Sequence, residues 1–137
     1  MQTGFSLIEL IVVLAIVGIM TCFAYPSYQH QITMAHRMDG QTALLDLANR
    51  MEQYYASHNT YEKSTIATRL TSDVLSQSKS PEGWYTLTIT TATANTFSLQ
   101  AIANQTQAEH DPNCRVLTFN HLGVRGSISN HEDAKCW

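Results

Sequence analysis

The stretch Gly4-Phe5-Ser6-Leu7-Ile8-Glu9-Leu10 places one carboxylate four residues after Phe5, inside an apolar run that ends at Pro26. An ionised carboxylate near mid-bilayer costs roughly 2.5 to 3.5 kcal/mol, so a plain membrane anchor would lack it. Cleavage after Gly4 would give Phe5 a free α-amino group one helical turn from Glu9. A neighbouring copy staggered along the helix axis could then lay its amine against this carboxylate, which would make Glu9 both anchor and assembly register. An ordinary signal peptide is disfavoured, since Met1-Gln2-Thr3 carries no Lys or Arg and Phe23-Ala24-Tyr25 is a poor small-residue cleavage site.

Of the other groups able to do chemistry, Cys22 lies in the apolar run, whereas Cys114 and Cys136 lie in the polar C-terminal part. The latter two are expected to form a disulfide outside the cytoplasm, closing a loop for ~3 kcal/mol of stabilisation in the chain-entropy model. A metal pair is the weaker reading, because neither has a second cysteine two to four residues away. His30 and His36 are six apart and so on different helix faces, while His110-Asp111 and His131-Glu132-Asp133 read as solvated clusters. There is no glycine-rich phosphate loop and no local Ser, His and Asp arrangement. We therefore expect no catalytic residue, no metal, no cofactor and no small-molecule substrate.

Net charge is -3 and charged residues are 14%, so no large basic field is available to hold nucleic acid. Any contact with DNA would be local. Arg115, Arg125 and Lys135, with His121 and His131, gather in the C-terminal third and could meet phosphates, but Glu109, Asp111, Glu132 and Asp133 sit among them.

The elements that must position these groups follow from pattern. Phe5 to Tyr25 would span ~31 Å as a helix, about one hydrocarbon core. Beyond Pro26, where a bend can occur, Tyr28, Ile32, Ala35, Met38, Leu45, Ala48, Met51 and Tyr55 recur at helical spacing and are expected to face a sheet. Arg37, Asp39, Asp46 and Arg50 take other faces, and Gly40 is a tolerated interruption. The helix should fade near His58. From Asn59 to Gly83 periodicity is lost, apart from a short helical turn around Ile66 to Leu75, and Ser80-Pro81-Glu82-Gly83 signals a turn. Trp84 to Thr90 and Thr96 to Ile102 alternate as a hairpin, Arg115 to Asn120 gives a third strand, and Val124-Arg125 is a short fourth segment. One long helix on three or four antiparallel strands is an α+β domain.

The N-terminal stretch, with Gly18 and Pro26 behind it, resembles the class III signal of type IV pilins and pseudopilins. Ser80-Pro81-Glu82-Gly83, Tyr85-Thr86-Leu87, Asp111-Pro112-Asn113-Cys114, Leu117-Thr118, Gly123 and Cys136-Trp137 extend the resemblance, to PilE-type minor pilins of Gram-negative bacteria, over nearly the whole chain. The resemblance implies a pilin fold and cleavage by prepilin peptidase between Gly4 and Phe5. It also implies N-methylation of Phe5 and assembly with other pilin subunits. Its layout would be a leader over 1–4, a transmembrane and filament-core helix over 5–25, and a head over 26–137. The head would hold a helix continuation over 26–57, an αβ-loop over 58–83, a sheet over 84–126 and a disulfide-bounded D-region over 114–136. The chain would sit in the inner membrane as a single-pass protein before assembly and then in a cell-surface pilus, with its head periplasmic or extracellular. Twitching motility, adhesion and DNA uptake are the associated activities. The alternatives are a DNA-binding pilin of natural transformation and a type II secretion pseudopilin. The leader lacks the usual Lys or Arg, which points to a start codon upstream of Met1 or to other orientation signals.

Overall fold

The computed structural model describes residues 6–128 and 135–137. Two compact units make it up, Met1–Ile32 and Thr33–Trp137. Helix α1, Leu7–His58, contributes to both and includes Pro26.

Within the first unit the helix is apolar on every side from Leu10 to Ala24, and none of these residues is buried. Leu7, Ile8, Leu14, Met20 and Phe23 are all exposed. Such a helix needs lipid or other helices around it. The Thr21 hydroxyl donates to the Gly18 carbonyl at 2.8 Å.

In the second unit, α1 lies against one face of an antiparallel sheet. Its strands are β3 (Tyr85–Ala92), β4 (Phe97–Ala103), β5 (Val116–Asn120) and β6 (Arg125–Ile128), in that spatial order. Alternation decides the register, since Leu87, Ala101, Leu117 and Ser127 stand opposite one another across the four strands. Tyr85, Leu87, Phe97, Leu99, Ala101 and Leu117 thus point to one side and meet Ala43, Leu44, Leu47, Ala48 and Met51 of α1. The hairpin between β3 and β4 closes through Thr93, whose N–H donates to the Thr96 carbonyl at 2.9 Å.

Four details differ from the sequence reading. The buried stripe of α1 is Asp39, Gly40, Ala43, Leu44, Leu47, Ala48 and Met51, whereas Tyr28 and Met38 are exposed. Gly40 is the reason: a Cβ there would meet the Tyr85 ring at 2.7 Å, so the helix faces the sheet with a position that has no side chain. Ile66 to Leu75 is not a helical turn but a parallel pair, β1 (Thr65–Ile66) with β2 (Asp73–Leu75). Ala67 and Arg69 there have φ of 57° and 64°, which no right-handed helix accommodates. A short helix α2, Gln105–His110, joins β4 to β5, with the Asn104 side chain accepting from the Gln107 N–H. Lastly, the fourth strand is Arg125–Ile128 rather than Val124-Arg125, since it pairs with β5 from Phe119 back to Val116, and Gly126 and Ser127 on this edge strand show no alternation in sequence.

Candidate assembly and nucleic-acid interfaces

Gly4 and Phe5 lie outside the described residues. Glu9 occupies the first turn of α1 and is exposed, a position where the helix dipole favours an anion. Among the described residues two salt bridges form, Arg37 with Asp111 and Arg50 with Asp46, and Glu9 belongs to neither. Among the described residues its carboxylate thus has no ion-pair partner. Cys22 is exposed and free.

The C-terminal residues are tied to α1 by a dense set of bonds. Cys114 and Cys136 form a disulfide, both buried. The Arg37 guanidinium donates to both oxygens of Asp111 at 2.8 Å each and to the Lys135 carbonyl at 3.1 Å. Gln41 donates to the Cys136 carbonyl at 2.7 Å. Gln107, itself buried, donates to the Thr33 carbonyl at 3.2 Å and pairs through its oxygen with His36, whose ring stacks on Trp84 at 3.6 Å. One turn further along α1, the buried Asp39 accepts from the Ser80 hydroxyl at 2.5 Å and from the Glu82 N–H at 3.2 Å. Sequence reasoning missed this network. Arg37 and Asp111 are separated by 74 positions, and nothing local marks them as partners.

That ion pair changes the electrostatics of the basic residues nearby. Asp111, one of the carboxylates that seemed to dilute them, is buried and fully engaged by Arg37. Glu132, Asp133 and His131 lie outside the described residues. Arg115, Arg125 and Lys135 are all exposed. Arg115 follows Cys114 and donates to the Ala108 carbonyl at 3.3 Å, and Lys135 precedes Cys136, so these two flank the disulfide. Arg125 pairs across the ladder with Phe119, four residues beyond Arg115 on β5, which sets the two arginines on the order of 13 Å apart along the strand. Arg115 and Lys135 thus adjoin the disulfide and Arg125 opens β6, while Glu109, next to the Ala108 carbonyl that Arg115 reaches, stays exposed among them. His121 is turned edge-on toward Phe97 at 6.3 Å.

Residues 26–118 match the family model of the type IV minor pilin ComP, DNA uptake sequence receptor. The protein belongs to the ComP family of type IV minor pilins. Residues 1–25 of this minor pilin match the prokaryotic N-terminal methylation motif. Over 92 residues, 67% of its length, it is 30% identical to the type IV major pilin protein PilE1 of Neisseria gonorrhoeae, covering 41% of that protein. The type IV major pilin protein PilE of the same organism is 33% identical over 67 residues, 49% of this chain and 40% of the relative. The minor pilin thus spans about two fifths of the length of the curated relatives it matches. Its fold is that of the Neisseria meningitidis non-core minor pilin PilV, with a TM-score of 0.55 at 22% identity, covering 77% of this chain and 94% of that one. A type IV pilin with an apolar N-terminal helix is accordingly the class, and it is a family of structural subunits.

Proposed function

We propose that this ComP-family pilin is a DNA-contacting subunit of a type IV filament. Prepilin peptidase would cut between Gly4 and Phe5, Phe5 would be N-methylated, and the apolar helix over 5–25 would rest in the inner membrane before packing among other pilin subunits. Glu9 then meets the amine of a neighbouring copy. The head, outside the cytoplasm, presents the D-region, and Arg115, Arg125 and Lys135 contact DNA phosphates during uptake. One observation supports the DNA reading: Arg115, Arg125 and Lys135 are exposed in the C-terminal third, while Asp111 is taken up in an ion pair with Arg37.

Duplex DNA titrated into the full chain in detergent micelles tests this across a salt series. Each phosphate contact contributes about -0.9 to the slope of log affinity against log salt, so three contacts give about -2.7. Replacing Arg115, Arg125 and Lys135 together by Ala is expected to abolish most of that slope. A wild-type chain that binds no DNA, or a triple variant that binds as well, would overturn the reading.

A further inference from the structure

Arg37 and Arg125 are both held in place, but in opposite ways. The donors of Arg37 are consumed by Asp111 and a carbonyl. Arg125 has no carboxylate partner among the described residues, and its guanidinium carbon stands 5.4 Å from the centre of the Trp137 ring. The indole is itself fixed. Its N–H donates to the Gly126 carbonyl at 2.7 Å, Phe119 packs at 6.3 Å, and the preceding residue is bound by the disulfide and by Gln41. Phe119 and Arg125 are direct cross-strand partners, so both rise from the same side of the ladder and meet the ring there.

We infer that Trp137 is a positioning residue for DNA binding: it holds the Arg125 guanidinium flat, with its N–H donors directed away from the protein, as a pre-organised fork for one backbone phosphodiester. This rests on the DNA-contacting reading above. A guanidinium over an aromatic face keeps all of its in-plane donors, and its fork matches a phosphate in two parallel hydrogen bonds. Binding then immobilises a side chain that is already still, which lowers the entropic cost of the contact. Trp137 does not serve as a base-stacking platform, because Arg125 occupies one face, Phe119 packs against the ring, and the indole N–H is engaged.

Duplex DNA affinity of the full chain should be measured for wild type, Trp137→Ala, Trp137→Phe, Arg125→Ala, Arg125→Lys and the double variant Trp137→Ala with Arg125→Ala. Trp137→Ala is expected to weaken binding about two- to fivefold when Arg125 is present and not at all when it is absent. Trp137→Phe, which keeps a ring under the guanidinium, should retain most of the affinity, and Arg125→Lys should lose it despite keeping the charge. An equal loss from Trp137→Ala in both backgrounds would overturn the inference and leave Trp137 a purely structural residue. If Trp137→Ala fails to fold, Trp137→Phe and Arg125→Lys still decide it: a Lys variant that binds as wild type does removes the need for a held fork. A wild-type chain that binds no DNA is a different failure, that of the functional reading itself.

Discussion

Asp73 shows how much one carboxylate can organise. It accepts from the hydroxyls of Thr65 and Thr68 at 2.6 Å each, and from the N–H groups of Arg69 and Leu70 at 2.6 and 3.3 Å. The Thr65 and Thr68 hydroxyls above all stabilise the charged form and bring its pKa down to about 2. A depressed folded pKa means that the loop's support is complete above the unfolded value near 4 and fades as pH falls through about 2. Amide exchange at Arg69, corrected for its intrinsic rate, should therefore show protection that is constant above pH 4 and declines toward pH 2. Asp73→Asn should lower that protection at neutral pH; a flat profile in wild type would refute the assignment. Legibility in the sequence also divides at this scale. Glu9 stands out because a charge in a 21-residue apolar run is anomalous on its own terms, and Cys114 with Cys136 because paired thiols in a polar segment are few. Asp39, Arg37 and Asp111 look like ordinary surface charges, and only tertiary contacts 41 and 74 positions away bury the two carboxylates and half-bury the guanidinium.

Strands β3, β4 and β5 are legible because each alternates, and the pattern gives both their existence and their inward face. Helix α1 is legible in extent but not in orientation, since periodicity weighs apolar side chains and is blind to a glycine against a tyrosine ring. Gly40→Ala makes that blindness measurable. In an exposed helix Ala would stabilise by about 1 kcal/mol over Gly. Here its Cβ would meet the Tyr85 ring carbons at 2.7 Å, and such overpacking costs about 1 to 3 kcal/mol. The expected sum is a loss of roughly 1 kcal/mol and a fall in Tm of about 4–8 °C by circular dichroism; a rise in Tm would mean that the ring gives way. α2 escaped notice because six residues complete too few turns for a period to register.

At the scale of the molecule, an apolar helix with one carboxylate and a sheet-bearing unit were both readable from composition and pattern, and the ComP family match assigns the chain to a class of filament subunits. What pattern could not supply is which charges remain available, since that depends on which are taken up inside. For the proposed assembly, Glu9→Ala is expected to leave membrane insertion intact or improved and to reduce the amount of protein recovered in sheared filaments. Unchanged recovery would remove the amine-to-carboxylate contact. The bonds from Arg37 to Lys135 and from Gln41 to Cys136 link positions 98 and 95 residues apart. At synthesis rates of about 5–20 residues per second, Arg37 waits roughly 5–20 s for its carbonyl partner to be made. Asp111 arrives before then, so what is missing in that interval is the Lys135 carbonyl and the disulfide partner of Cys114. A chain lacking residues 135–137 is thus expected to lose the tie to α1 and the Cys114–Cys136 crosslink together.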